Sequence, residues 1–165
     1  VDHPDRLDRL VLNTAGGSQA DPEVMKRIIT LSMAAAENPS WETVQARIKW
    51  LMADKSKDYD DIVASRRRVY RQPGFVGAMR DIMALQDPEI RQRNLLGPAD
   101  YGAISAPTLV LWTSDDPTAD VGEGRRIAQM IPGARFEVMA GCGHWPQYED
   151  PKTFNRLHID FLLGR

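Results

Sequence analysis

The sequence has little cysteine, no strong charge of either sign and no long apolar run, and each absence excludes a class of protein. Cys142 is the only cysteine in 165 residues, so no disulfide can form within the chain, and we expect a cytoplasmic protein. A formal net charge of -2 provides no basic surface for nucleic acid. No apolar run approaches the roughly 20 residues of a membrane-spanning helix, so we expect no membrane partner.

Metal-ligand spacing is also absent. His3 and His158 do not fall at short intervals from Cys142 or from each other, as zinc ligands do, so we predict neither a metal nor a cofactor. Cys142 and His144 stand two residues apart on one tight loop, where they are poorly placed to share a proton. We therefore interpret Cys142 as a small buried space-filler rather than a thiol nucleophile.

Three short apolar runs predict the strands of a parallel sheet. They are Arg9–Asn13, Thr108–Trp112 and Ala134–Met139. Near-continuous apolar runs bounded by glycine or acidic residues are typical of parallel strands that are covered on both faces. With 42% hydrophobic and 27% charged residues, the chain is long and apolar enough to bury a core. We expect an α/β fold.

Between the first two predicted strands the pattern becomes helical. Asp21 followed by Pro22 predicts the start of one helix, and Ser40 can cap the next. The spacing predicts that the first helix buries Val24, Ile28, Leu31 and Ala35, and that the second buries Trp41, Val44, Ile48 and Leu51. We divide the chain into residues 1–20 (core strand and loop), 21–100 (helical lid) and 101–165 (carboxyl-terminal strands and helices of the core).

Two loops carry the candidate catalytic residues. The second strand runs into Ser114-Asp115-Asp116-Pro117, and the third runs into Gly141-Cys142-Gly143-His144-Trp145. Because the carboxyl ends of parallel strands lie at one edge of a sheet, an acid and a histidine should meet there. Histidine titrates near neutral pH and suits proton transfer. The order of acid and then histidine matches the end of the order nucleophile, acid, histidine in α/β-hydrolases.

No Gly-x-Ser-x-Gly nucleophile motif precedes these loops. We therefore expect this chain to be the carboxyl-terminal part of a larger catalytic unit, and the lack of an initiator Met at Val1 favours that interpretation. Three strands also make a poor independent sheet. The strand at Leu10–Leu12 would present an apolar edge that needs a neighbour, and we expect that neighbour to carry the nucleophile.

The whole chain resembles the carboxyl-terminal part of an α/β-hydrolase, and three motifs resemble the meta-cleavage-product hydrolases. These motifs are Asn13-Thr14-Ala15-Gly16-Gly17, Leu111-Trp112-Thr113-Ser114-Asp115-Asp116-Pro117 and Gly141-Cys142-Gly143-His144-Trp145-Pro146-Gln147. The third motif, with Glu149-Asp150-Pro151 and Phe154-Asn155 after it, is the most specific. The resemblance implies the last three parallel strands of the α/β-hydrolase fold, with flanking helices and a helical lid insertion.

The family pattern implies a role for each candidate residue. His144 would be the catalytic base and later the acid. Asp116 would orient it, because the family acid lies four positions after the strand-end Trp112. Asp115 is the alternative, since the two carboxylates are adjacent in the sequence.

Substrate-binding residues are implied by the same resemblance. Trp145 would line the substrate cavity. The family places an arginine shortly before a Gln-Pro pair, where it holds the substrate carboxylate. Arg66 fits this position best, although Arg67 and Arg68 lie beside it. The planar fork of a guanidinium matches a carboxylate in two hydrogen bonds.

Members of the family are serine-type enzymes that break a carbon–carbon bond in 2-hydroxy-6-oxo-dienoates from aromatic degradation. The resemblance implies that the dienol is ketonised, that the nucleophile or an activated water attacks the far ketone, and that an oxyanion hole stabilises the charge. The serine and the oxyanion amides are absent from this sequence, so we expect the chain alone to be inactive. The implied partners are the amino-terminal nucleophile-bearing part, a small acidic dienoate and further copies in a homo-oligomer.

Each candidate also has a purely structural interpretation. His144 could bond a backbone carbonyl, Asp116 could form a turn before Pro117, and Trp145 could pack in the core. The arginine run could be a solvated helix face. Two other functions stay open, namely an ester or lactone hydrolase with the same triad and a non-catalytic α/β domain that binds a partner through its strand edge.

Overall fold

The computed structural model describes residues 3–16 and 21–165, which divide into two compact units. The sheet unit contains residues 3–16 and 96–165, and the helical unit contains residues 21–95. Gly17, the last residue of the first motif that resembles the meta-cleavage-product hydrolases, lies outside the described residues. The role of the helical segment as a lid stays a prediction.

The regular elements run from a strand through a series of helices and then return to strands. In chain order they are β1 (Leu10–Asn13), α1 (Pro22–Glu37), α2 (Trp41–Leu51), α3 (Asp60–Tyr70), α4 (Phe75–Met83), α5 (Pro88–Asn94), α6 (Pro98–Gly102), β2 (Thr108–Thr113), α7 (Val121–Met130), β3 (Arg135–Met139), α8 (Pro146–Glu149) and α9 (Pro151–Leu162). Single 3₁₀ turns occur at Pro4–Arg6 and Ala84–Gln86. Among the described helices, none combines the length and the apolar character that crossing a membrane requires.

The three strands form one parallel sheet in the order β1-β2-β3, which confirms the prediction from the apolar runs. Leu10 pairs with Thr108, and Thr113 pairs with Met139. Every residue of β2 is buried because this strand is central and is covered on both faces. The carboxyl ends of β2 and β3 are therefore adjacent, and the loops that leave them emerge at the same edge of the sheet.

Side chains of β2 alternate between two apolar clusters, one on each face of the sheet. The cluster on the α7 face contains Tyr101, Val110, Trp112, Ile127, Ala128 and Ile131. The cluster on the α9 face contains Leu109, Leu111, Met139, Cys142, Leu157 and Phe161. Cys142 is 2% exposed, which confirms that it fills space in the core.

Side-chain caps begin α1 and α2 at the predicted residues. Asp21 Oδ1 accepts hydrogen bonds from the amides of Glu23 at 2.9 Å and Val24 at 3.1 Å. Ser40 Oγ accepts one from the amide of Thr43 at 3.2 Å. Each bond satisfies an N–H group of the first turn that has no partner within the helix.

The buried face of α1 matches the predicted one only at Ala35. Its fully buried residues are Met25, Ser32, Ala35 and Ala36. Val24, Ile28 and Leu31 are only partly buried. Both α2 and α4 pack directly against α1, and these contacts decide which of its side chains are buried. On α2 the predicted face is correct for Val44, Ile48 and Leu51, whereas Trp41, at the start of the helix, is only partly buried.

Candidate active site

The loop after β2 buries one carboxylate completely. The side chain of Asp116 has no exposed surface. Its Oδ1 accepts two hydrogen bonds from Thr118, from the backbone N–H at 2.8 Å and from the hydroxyl at 2.7 Å. Aspartate readily bonds the backbone two residues ahead in this way. The two donors replace the water that the carboxylate loses on burial.

The loop after β3 presents His144. Gly141 has a φ of +69°, a left-handed conformation that strongly favours glycine, and it lets the chain turn immediately after the strand. Cys142 then anchors the loop in the α9-face cluster. His144 follows with 29% of its side chain exposed.

The structure brings Asp116 and His144 together. Asp116 Oδ2 lies 2.9 Å from His144 Nδ1. An ionised carboxylate can only accept, so Nδ1 carries the proton and donates it to this bond. In the neutral imidazole Nε2 then holds the lone pair. Among the described residues none hydrogen-bonds Nε2, so its lone pair can accept a proton.

Thr118 contacts both members of the pair, and the sequence analysis missed it. Its hydroxyl donates a hydrogen bond to Asp116 Oδ1. The hydroxyl oxygen also lies 3.3 Å from His144 Nδ1, where it acts as a second, weaker acceptor for the Nδ1–H group. The spacing Asp-x-Thr after a strand is the signal that could have identified it, since both residues favour such turns.

Backbone and side-chain hydrogen bonds join the two loops directly. Asp115 N donates to the Cys142 carbonyl at 3.0 Å, and Gly141 N donates to Ser114 Oγ at 2.8 Å. The carboxylate of Glu149, at the end of α8, accepts from Gly143 N at 2.7 Å. The acid and histidine loops are therefore held as one assembly at the sheet edge.

Asp115, the alternative acid, points elsewhere. Its side chain is exposed and accepts a hydrogen bond from the hydroxyl of Ser114 at 2.6 Å. Of the two adjacent carboxylates, Asp116 is the one that contacts His144.

Trp145 lies directly after His144 and is partly buried. Its carbonyl accepts hydrogen bonds from the amides of Tyr148 at 2.9 Å and Glu149 at 3.1 Å, so it begins α8. The backbone of Trp145 thus helps to fix the histidine loop. That its indole lines a substrate cavity stays a prediction.

The three consecutive arginines of α3 have different environments within the helical unit. Arg68 is exposed, whereas Arg66 and Arg67 are partly buried. Arg67 Nε donates to the Pro39 carbonyl at 3.2 Å, and its guanidinium lies 5.4 Å from the centre of the Trp41 ring. Arg67 therefore has a packing role, and the role of Arg66 as the carboxylate ligand stays a prediction.

Within residues 3–16 and 21–165, no group of three or more histidine, cysteine or acidic side chains could hold a metal ion. The chemistry that this site offers is proton transfer. A histidine with one nitrogen fixed by a buried carboxylate and the other accessible can accept a proton and later return it.

Comparison with known proteins identifies relatives over most of the chain. A sequence profile described as "Alpha/beta hydrolase family" matches residues 7–157. A 2-hydroxy-6-oxo-6-phenylhexa-2,4-dienoate hydrolase from Comamonas testosteroni is 32% identical over 100% of this chain and 57% of its own length. A 2-hydroxy-6-oxononadienedioate/2-hydroxy-6-oxononatrienedioate hydrolase from Cupriavidus pinatubonensis is 30% identical over 97% of this chain and 55% of its own.

Solved structures give the same fold. A meta-cleavage product hydrolase from Pseudomonas fluorescens has a TM-score of 0.79 and 26% identity over 99% of this chain and 58% of its own. A serine hydrolase from the aromatic-hydrocarbon-degrading bacterium Cycloclasticus zankles has a TM-score of 0.81 at 24% identity, over 98% of this chain and 57% of its own. The chain therefore spans a little over half the length of the proteins that it matches.

Proposed function

The chain belongs to the alpha/beta hydrolase family, and we propose that it supplies the acid and the histidine of a serine-type hydrolase that cleaves a carbon–carbon bond in 2-hydroxy-6-oxo-dienoates. The observation that carries this proposal is the 2.9 Å contact between the buried Asp116 carboxylate and His144 Nδ1. The substrate class is supported by relatives whose names specify dienoates of this type.

In the proposed mechanism His144 acts through Nε2. This nitrogen takes the proton of the nucleophile or of an attacking water and later delivers it to the departing carbon fragment. Asp116 keeps the proton of the neutral ring on Nδ1 and stabilises the imidazolium that forms when Nε2 is protonated. Thr118 holds the carboxylate in the orientation that this requires.

The substrate chemistry proceeds in two stages. The bound dienol is first converted to its keto form, which provides an electron sink for cleavage of the carbon–carbon bond. The nucleophile or the activated water then attacks the distal ketone, and a hydroxypentadienoate leaves. An oxyanion hole would stabilise the charge on the attacked oxygen.

The proposed catalytic unit has further parts. The nucleophile and the oxyanion donors would come from an amino-terminal part of the same hydrolase, and the open edge of β1 is where its neighbouring strand would pair. Arg66 would bind the carboxylate of the dienoate, and Trp145 would contact its carbon skeleton. Assembly as a homo-oligomer in the cytoplasm stays a prediction from the family resemblance.

The test combines this chain with a nucleophile-bearing part and follows loss of the dienoate absorbance. Asp116→Asn keeps the shape of the side chain but can stabilise the wrong tautomer of His144, and we expect a rate loss of about 10⁴-fold. Asp115→Asn is the matched control, because this exposed carboxylate contacts Ser114 instead, and it should change the rate by less than about threefold. Equal rates for wild type and Asp116→Asn would refute the triad assignment.

A second pair of variants tests the substrate class. Arg66→Ala should raise KM for a dienoate and leave KM for a neutral ester nearly unchanged, because only the dienoate carries a carboxylate. Arg68→Ala removes the same charge from an exposed position on the same helix and serves as the control. An unchanged KM for the dienoate in Arg66→Ala would contradict this role. Turnover of the ester alone would identify an ester hydrolase, and turnover of neither would favour a binding domain.

A further inference from the structure

The sheet has a second open edge, on the outer side of β3. In the order β1-β2-β3, one edge of β3 pairs with β2, and no described strand pairs with the other. An unpaired edge presents a row of backbone N–H and C=O groups that can pair with another chain. The proposed function assigns the nucleophile-bearing part to the edge of β1, so the edge of β3 has no role in it.

The backbone groups that face the outer edge belong to Phe136 and Val138. The carbonyl of Met139 accepts a hydrogen bond from Ser114 N at 3.1 Å, so the backbone of Met139 faces β2. Successive residues of a strand direct their N–H and C=O groups to opposite edges. The backbone groups of Phe136 and Val138 therefore point away from the sheet, where a further strand would lie.

Side chains along this edge are accessible on both faces of β3. Arg135 and Glu137 form an ion pair at 2.8 Å, and their side chains are 48% and 35% exposed. On the other face Phe136 is partly buried, whereas Val138 is exposed. Each β3 strand thus presents one positive and one negative charge on one face and apolar groups on the other.

The order of the two charges allows β3 to pair with a second copy of itself. In a twofold antiparallel pair, residue i lies opposite residue j and residue j lies opposite residue i. A twofold axis at Arg135 would place two arginines opposite each other, and an axis at Glu137 would do the same with two glutamates. Like charges directly opposite each other destabilise a sheet. An axis at Phe136 instead places each Arg135 opposite Glu137 of the second copy.

The backbone favours the same register. With the axis at Phe136, the two copies of this residue lie opposite each other and can exchange both N–H···O=C bonds, because their backbone groups face outward. Arg135 and Glu137 then occupy non-hydrogen-bonded positions, where opposite side chains come closest. An axis between two residues would place outward-facing backbone groups opposite inward-facing ones, and the bonds would not form.

We infer that the outer edge of β3 is a homodimer interface, in which β3 pairs antiparallel with β3 of a second copy about a twofold axis at Phe136. Each Arg135 then lies between Glu137 of its own strand and Glu137 of the second copy, so four charges alternate along one face. On the other face the two Phe136 side chains are neighbours. This interface does not depend on the proposed reaction, because neither catalytic candidate lies on β3.

Charge reversal tests the interface in the full chain, with the dissociation constant of the dimer measured by sedimentation equilibrium. Arg135→Glu leaves two acidic residues on the edge, and Glu137→Arg leaves two basic ones. Either change makes both cross-strand pairs repulsive, and the dissociation constant should rise at least about tenfold. Arg80→Glu is the matched control, because Arg80 forms an exposed ion pair with Glu37 in the helical unit. It should change the constant less than about threefold.

Mixing the two variants distinguishes a contact between copies from an effect within one strand. A mixed dimer of Arg135→Glu and Glu137→Arg chains has opposite charges in both cross-strand pairs. It should form with a dissociation constant within about threefold of the wild-type value. The repulsion within each strand persists in the mixture, so mixing would restore nothing if only the ion pair within the strand mattered.

Backbone hydrogen exchange identifies which edge of the sheet is covered. Dimer formation should slow exchange at the amides of Phe136 and Val138. Thr14 N donates to the Leu111 carbonyl and so faces β2, which leaves the neighbouring amide of Asn13 at the open edge of β1. Exchange at Asn13 should be the same in monomer and dimer.

Any of three results would overturn this interface. A chain that stays monomeric at its highest soluble concentration would leave the edge of β3 to a different protein. A dimer that both reversals leave unchanged, or weaken without recovery on mixing, would show that these charges do not meet across the interface. Slower exchange at Asn13 instead of Phe136 would place the contact on β1.

Discussion

Replacement of Gly124 on α7 tests how tightly the sheet unit packs beneath the acid loop. A Cβ atom at this position would lie 2.5 Å from Cδ2, 2.6 Å from Cε3 and 2.8 Å from Cγ of Trp112. The indole cannot easily yield. It has no exposed surface, and its Nε1 donates a hydrogen bond to the Ala119 carbonyl at 3.1 Å. Gly124→Ala should therefore force either the helix or the ring to move.

The expected free-energy change follows from two opposing effects. Overpacking a well-filled core typically costs about 1–3 kcal/mol, and three contacts far below the van der Waals limit place Gly124→Ala near the upper end. Alanine in place of glycine within a helix gains about 1 kcal/mol. We therefore expect a net loss of about 2 kcal/mol in the free energy of unfolding.

Gly77 on α4 provides the matched control. It is also a helical glycine, it is exposed, and no atom lies within 4 Å of the Cβ that an alanine would add. Gly77→Ala should gain up to about 1 kcal/mol. Urea unfolding followed by both far-UV circular dichroism and tryptophan fluorescence would measure the changes and test for a single transition. If Gly124→Ala were as stable as Gly77→Ala, the described packing of α7 on Trp112 would be wrong.

Further predictions concern the loops of the candidate site. Thr118→Val keeps the shape of the side chain but removes a hydroxyl that is hydrogen-bonded to the buried carboxylate of Asp116. Urea titrations should show a free energy of unfolding that is lower by about 1.5–3 kcal/mol. An unchanged free energy of unfolding would contradict the hydrogen bond. Glu149→Ala should speed hydrogen exchange at the Gly143 amide, whereas Glu149→Gln, which keeps an acceptor, should not. Hydrogen bonds from the Thr153 hydroxyl and amide lower the pKa of Asp150 from its ordinary value. Asp150 therefore stabilises the fold at pH values above its pKa in the unfolded chain. This stabilisation is lost as the pH falls through the lower pKa of the folded state. A carboxyl ¹³C titration that placed this pKa at or above its ordinary value would refute the cap.

Strands and capped helices of this fold are predictable because local signals determine them. A near-continuous apolar run identifies β2, since a strand covered on both faces needs no polar side chain. Asp21 and Ser40 identify the starts of α1 and α2, because each satisfies backbone donors a few residues ahead. These interactions span only a few positions and can be read from one stretch of sequence.

The helix α5 shows where the sequence analysis fell short, since it did not identify this element. Asp87 caps α5 through the amides of Glu89 and Ile90, both at 3.0 Å, and Pro88 occupies its first turn. The capping signal is present, but only seven residues follow, too few for a clear apolar period. The buried face of α1 was predicted incorrectly for another reason. Contacts with α2 and α4, which are distant in sequence, decide which side chains of α1 are fully buried.

The proximity of the acid loop to the histidine loop was predictable from the sequence. The hydrogen bonds around Asp116 and His144 were not. Strand order brings the loops to one edge, whereas the choice of Asp116 over Asp115 depends on which carboxylate turns inward. Thr118 decides this choice because its amide and hydroxyl supply the two donors that make burial of Asp116 tolerable. Neither donor is evident from residue type alone.

The arrangement of the pair also determines what this chain can contribute to catalysis. The carboxylate of Asp116 has all its described acceptor bonds directed to Thr118 and His144, and its side chain has no exposed surface. These bonds fix the orientation of the carboxylate, so little reorganisation would accompany the proposed proton transfer at Nε2. The links from Ser114 and Glu149 hold the histidine loop in place without help from a substrate. The proposed base is thus held in place by contacts among the described residues, and under the proposal a nucleophile brought within hydrogen-bond distance of Nε2 would transfer its proton there.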